Sequence, residues 1–265
     1  MNHETKSDGC TLHYSASGSG PALLFIQGVG VHGDGWRPQI EELARDHTCL
    51  AFDNRGLGRN RPAGAPITVE RMAEDALAIL EHARIPAAHV VGHSLGGQIA
   101  LQLALSHPER VNRLSLLCTF ADGRAPARGV PMLWIGMRTR IGTRRMRRRA
   151  FLELLLPPQQ RQHADLGALA RELEPLFGHD LADQPPVAMQ QIRAFRRCNL
   201  APRLGELARI PTLVVSATYD RIAPPALGQA LATGIPGARY VEIEDAAHGA
   251  PITHAARINA LLREP

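Results

Sequence analysis

Aromatic residues are scarce in this chain: six Phe, three Tyr and two Trp in 265 positions. Surfaces that bind nucleic acid interleave aromatic side chains with basic ones, so no nucleic-acid partner is expected. Long apolar runs are missing as well. Residues 1–19 are polar, so neither a secretory leader nor a membrane anchor is expected, and the cytoplasm is the default location. The four cysteines (Cys10, Cys49, Cys118, Cys198) lie far apart without metal-ligand spacing, and they read as reduced, buried thiols with no metal implied. Glycine and proline, 24 and 20 residues, are scattered rather than periodic, which excludes fibrous and low-complexity architectures.

What remains is a chain with 45% hydrophobic residues, enough for one large domain with a subordinate insertion. The net charge of +5 is concentrated locally. Arg138, Arg140, Arg144, Arg145, Arg147, Arg148 and Arg149 crowd into a dozen positions. A solvated helix face is the expected reading, and an anion-binding mouth is the alternative.

Short apolar runs bounded by turn residues predict strands at 22–26, 48–53, 89–92, 111–120, 211–217 and 239–243. Helical periodicity predicts helices at 36–45, 68–83 and 99–106, with Thr68 as an N-cap. Strands alternating with helices define an α/β fold, a mostly parallel central sheet covered on both faces. Between 121 and 203 the alternation stops. That stretch is Arg-rich, punctuated by Pro126, Pro131, Pro157, Pro158, Pro185 and Pro186, and reads as a helical cap inserted into a core formed by 1–120 and 204–265.

Gly92-His93-Ser94-Leu95-Gly96 carries the chemistry. The string Gly-x-Ser-x-Gly falls between a strand and a helix, where a sharp turn lifts the serine hydroxyl above the sheet and a Cβ at either glycine would collide. With 24 Gly and 8 Ser, about 0.07 matches are expected by chance, so the coincidence is disfavoured. A serine hydroxyl is a poor nucleophile unless a base takes its proton and a carboxylate fixes that base's tautomer. Asp220, just past the strand at 211–217, and His248, in the loop before the last helix, supply them in the order Ser, Asp, His. Asp245 is the rival acid, and His93, His32 and His254 are weaker bases. The Leu95 amide, at a helix N-terminus, is the first donor to a developing oxyanion.

Taken together, Gln27-Gly28-Val29-Gly30, the loop FDNRGLGR at 52–59, GHSLGG at 92–97 and DRIAP at 220–224 resemble the α/β-hydrolase family, in its small esterase and lactonase branch. The likeness covers nearly the whole chain and is strongest outside the cap. It implies an α/β-hydrolase fold, Ser94, Asp220 and His248 as catalytic residues, and the Val29 amide as the second oxyanion donor. Gly28, Gly30 and His93 are the expected substrate contacts. It implies no cofactor, a small-molecule ester or lactone substrate, no membrane partner, and a monomer or homodimer. Gln27 departs from the family's histidine and Asn60 from its serine, and neither position supplies chemistry. Asp53 and Arg55 are expected to brace their loop through an ion pair.

Serine at the elbow argues against haloalkane dehalogenase and epoxide hydrolase chemistry, which use aspartate there. Peptidase, thioesterase, perhydrolase and carbon–carbon hydrolase activities keep the serine and stay open. So do a lyase or cofactor-free oxygenase on the same fold and a binding protein without turnover.

Overall fold

The computed structural model describes residues 2–61, 65–125 and 136–264. Pro126 and Pro131 lie outside the described residues. Eight strands form one sheet: β1 (Asn2–Ser7), β2 (Cys10–Ser17), β3 (Ala22–Ile26), β4 (Thr48–Phe52), β5 (Ala88–His93), β6 (Val111–Leu117), β7 (Thr212–Ala217) and β8 (Arg239–Ile243), in the order β1-β2-β4-β3-β5-β6-β7-β8. β1 and β2 pair antiparallel, β2 joins β4 antiparallel, and every pairing from β4 to β8 is parallel.

The central strands are buried on both faces, and the period-2 alternation of strand side chains divides them between two cores. Leu24, Ile26, Val90, Leu114, Leu116 and Val214 point to one face, where they meet α2 (Val69–His82) and α3 (Leu95–Ser106). Leu23, Phe25, Val91, Leu117, Leu213 and Val215 point to the other, against Trp36, Leu43 and the C-terminal Ile258, Leu261 and Leu262. Those belong to a 3-10 turn (Gly33–Trp36), α1 (Arg37–Leu43) and the terminal helix. Thr68 caps α2 as expected, its side chain accepting from the Arg71 amide at 3.2 Å.

Two differences from the sequence reading have plain causes. The amino-terminal hairpin β1–β2 was not anticipated because residues 1–19 are polar overall, yet Cys10, Leu12 and Tyr14 are buried at alternate positions. Its turn is Asp8-Gly9, both at positive φ (41° and 75°), a dipeptide suited to a tight hairpin. β6 ends at Leu117 rather than at 120 because Cys118 turns the chain at φ 48°.

The described residues between β6 and β7 include the helices α4 (Arg144–Leu155), α5 (Pro158–His163), α6 (Leu166–Phe177) and α7 (Ala188–Arg197). They build a small core from Leu152, Leu155, Leu156, Ala170, Leu173, Phe177 and Leu181, which meets the sheet domain at Val31 and Ile252. The chain enters and leaves this insertion through a narrow neck. Asp122 and Asn199 form an antiparallel bridge, flanked by hydrogen bonds from Gly123 N to Cys198 O and from Leu200 N to Ala121 O, both 3.0 Å. The arginine cluster is largely ion-paired within the insertion: Arg144 reaches Asp180 and Asp183 at 2.5 and 2.8 Å, and Arg148 also pairs with Asp180. Arg147 reaches Asp183 at 3.4 Å, and Arg138 and Arg149 reach Glu153 at 2.8 and 3.6 Å. After β7 come α8 (Pro225–Gly234), α9 (Ala250–Thr253) and α10 (Ala255–Arg263).

Candidate active site

Ser94 sits between the end of β5 and the start of α3 at φ 56°, ψ −119°. A non-glycine residue there carries strain of order 1–3 kcal/mol, which its surroundings must over-determine. They do so with hydrogen bonds and close packing. The Ser94 amide donates to Leu117 O at 3.0 Å, and Thr119 Oγ1 donates to Ser94 O at 2.6 Å. A Cβ on Gly92 would lie 2.3 Å from Gly96 O, and one on Gly96 would lie 2.0 Å from Ile26 O, so both glycines are sterically required.

Asp220 follows β7 and His248 follows β8, so both emerge at the carboxyl ends of parallel strands, the edge at which such sheets assemble ligand sites. His248 Nδ1 lies 2.7 Å from Asp220 Oδ2, with both side chains buried. Asp220 Oδ1 accepts from the amides of Ile222 and Ala223, each at 2.8 Å. Burial pushes this carboxyl up, but the His248 imidazole and the two amides outweigh it and hold the acid below its ordinary range. The Asp220 carboxylate is therefore charged and can only accept, so the contact keeps a proton on His248 Nδ1 and leaves Nε2 as the other ring nitrogen. The rival Asp245 turns elsewhere: it is exposed and pairs with His254 at 3.2 Å. His32 pairs with Asp53 at 3.2 Å.

His93 was expected to contact substrate, but its nitrogens face protein. Nε2 donates to the His248 carbonyl at 2.9 Å, Nδ1 faces the Gln27 carboxamide at 3.4 Å, and the His93 and His248 rings lie 4.8 Å apart. Burial pushes its pKa down to about 3, so the ring is neutral. His93 therefore ties the His248 loop to the serine turn. Gln27 Oε1 accepts from the Gly28 amide at 3.1 Å and so braces this turn at the position where histidine was expected. The turn at 28–31 packs directly on the serine: a Cβ on Gly28 would lie 3.1 Å from Ser94 Cβ and 3.5 Å from its Oγ. Among the described residues, the Val29 amide has no hydrogen-bond acceptor. Leu95 is the first residue of α3, so its amide has no acceptor within the helix.

Sequence reasoning misplaced one ion pair. Arg55 does not pair with Asp53; it forms a fully buried bidentate pair with Asp75 of α2, at 2.7 and 2.5 Å. Asp53 instead accepts from the Gly33 amide at 2.8 Å and holds His32. The loop is braced as expected, through a partner 20 residues away that no motif indicated. Asn60 takes the place of the family's serine by accepting from the His13 amide at 2.8 Å and donating to Asp53 O at 2.5 Å. Sequence reasoning also gave no role to Cys118. Burial, together with the charge of the nearby Asp220 carboxylate, pushes its thiol well up, so it stays protonated.

A mostly parallel eight-stranded sheet, with a strained serine turn after its central strand and a histidine–aspartate pair beyond its later strands, is the architecture of the α/β hydrolases. A family model described as the alpha/beta hydrolase fold matches residues 21–255, and the chain belongs to that family of enzymes. It is similar to the "Putative carbamate hydrolase RutD" of Azorhizobium caulinodans, 34% identical over 241 residues that cover 89% of this chain and 88% of the relative. Its fold is also similar to the enol-lactonase of Burkholderia xenovorans LB400 (TM-score 0.81, 27% identity, 98% of each chain covered). A hydrolase from Pseudomonas aeruginosa PA01 gives a TM-score of 0.80 at 26% identity, with 98% of this chain and 96% of that one covered.

Proposed function

We propose that this hydrolase cleaves a carboxylic ester or lactone through an acyl-enzyme, with Ser94 as nucleophile, His248 as base and Asp220 as the acid that orients it. The observation that carries the reading is the buried 2.7 Å contact between His248 Nδ1 and Asp220, after β8 and β7, together with a serine held at φ 56° between β5 and α3. Ser94 Oγ attacks the carbonyl carbon as His248 Nε2 takes its proton. The oxyanion is received by the amides of Val29 and Leu95. His248 returns the proton to the departing alkoxide, and a water, deprotonated by the same nitrogen, hydrolyses the acyl-serine. The insertion at 121–203 acts as a cap that shapes the pocket for the acyl and alcohol portions.

The similarity to an enol-lactonase over the full length favours a lactone among these substrates. A second reading has its own support in the similarity to RutD. A carbamate carbonyl lies between oxygen and nitrogen and passes through the same tetrahedral intermediate, with an amine or alcohol leaving. Labelling with a fluorophosphonate probe tests the mechanism: intact protein becomes modified at Ser94 and loses activity, and Ser94→Ala takes up no label. Absence of label on the native protein sinks the reading. A panel of esters, lactones, thioesters and carbamates, with Ser94→Ala as blank, then ranks the substrates.

A further inference from the structure

Gly30 follows Val29 in the turn against Ser94 and adopts φ 71°. Both polar groups of its backbone are held by side chains of the insertion. Its amide donates to Gln191 Oε1 at 2.9 Å, and its carbonyl accepts from His179 Nε2 at 3.0 Å. Two residues on, the His32 amide donates to Phe177 O at 3.4 Å. Gln191 is fully buried on α7, and Pro185 and Ala188 of the same stretch close over Gly30 at 3.4 and 3.7 Å from where a Cβ would stand. A backbone N–H can only donate, so the Gln191 carboxamide must turn its oxygen toward Gly30; the contact is directional. The sheet domain therefore supplies the turn, and the insertion supplies the bonds that fix it.

We infer that Gln191, aided by His179, is a positioning residue for the oxyanion donor at Val29, so that the site is competent only when the cap is docked. The inference rests on the acyl-enzyme reading above. Neither side chain needs to touch substrate. The two bonds fix the Val29–Gly30 and Gly30–Val31 peptide planes, and the Val29 amide lies in the adjoining Gly28–Val29 plane, so loosening Gly30 frees the Val29 Cα to shift and misaims that amide. Oxyanion stabilisation depends steeply on such aim, and losing one donor outright costs about 100-fold to 1,000-fold in kcat.

The test replaces Gln191 by Met, which keeps volume and removes the acceptor, and by Glu, which keeps an oxygen acceptor in either protonation state. His179→Phe is the independent variant, keeping a ring and removing the donor. Each is assayed for kcat and KM on a p-nitrophenyl ester, and for affinity toward a trifluoromethyl ketone, whose serine adduct carries the oxyanion, and toward a product acid, which does not. For Gln191→Met and His179→Phe we expect kcat to fall by about tenfold or more, KM to move less than about threefold, ketone affinity to fall in step with kcat/KM, and product affinity to hold. Gln191→Glu recovers most of the loss. The inference is overturned if kcat stays within about twofold in both Gln191→Met and His179→Phe, or if only KM rises. It also falls if ketone and product affinities drop together, since that pattern marks a damaged pocket. Failure of the underlying reading is separable, because it shows in native protein as absence of label on Ser94.

Discussion

At the scale of single residues, the pair His248–Asp220 sets a pH dependence whose sign follows from its chemistry. The folded protein holds the Asp220 carboxyl below its ordinary value of 3.8, so the unfolded chain binds the proton more readily. The stabilisation is present above about pH 4 and is lost as pH falls through the lower folded value. Denaturant unfolding between pH 3 and 6 should show a shallower acid decline in Asp220→Asn than in the native enzyme. The same variant should lose about 10⁴-fold in kcat, because the amide no longer dictates which nitrogen of His248 carries the proton. A second residue-scale expectation concerns Gly96. Its missing Cβ would fall 2.0 Å from Ile26 O, a backbone atom that cannot yield without moving β3, so Gly96→Ala should lower unfolding free energy by about 1–3 kcal/mol and abolish labelling at Ser94.

Between elements, the buried Arg55–Asp75 pair fastens α2 to the loop after β4. Removing Asp75 breaks a buried bidentate charge pair. Asp75→Leu alone should therefore cost about 3–5 kcal/mol in urea unfolding, and the double variant Arg55→Met/Asp75→Leu should recover most of it. This contact also shows where sequence reading stops. The places of Ser94, Asp220 and His248 at the ends of strands were legible, and the glycines at 92 and 96 announce the turn by steric necessity. Arg55 was legible as a brace, but its acid was not singled out, although its spacing from Met72 and Ile79 sets Asp75 beside the apolar stripe of α2. Gln191 was invisible: it meets Gly30 across 161 positions, and on a helix of mixed polarity it looks like any surface glutamine. The β1–β2 hairpin was legible in principle, from Asp8-Gly9 and the alternation of Cys10, Leu12 and Tyr14, but its polar composition masked it.

For the whole molecule, net charge suggests an affinity for anions that the ion pairing argues against. Asp180, Asp183 and Glu153 engage Arg138, Arg144, Arg147, Arg148 and Arg149, which ties these guanidinium groups to partners within the insertion. The ratio of kcat/KM for anionic and neutral p-nitrophenyl esters should accordingly stay within about twofold as salt rises from about 50 to 500 mM, where surface attraction would be screened away. A ratio that falls steeply with salt would return the cluster to the pocket mouth. The neck of the insertion carries a different consequence. Because the chain departs and returns where Asp122 bridges Asn199, the segment between is, on the reading proposed above, a cassette in the evolutionary sense. On that reading lineages trade one recognition surface for another while inheriting the reaction, provided that the newcomer brings its own grip on Gly30.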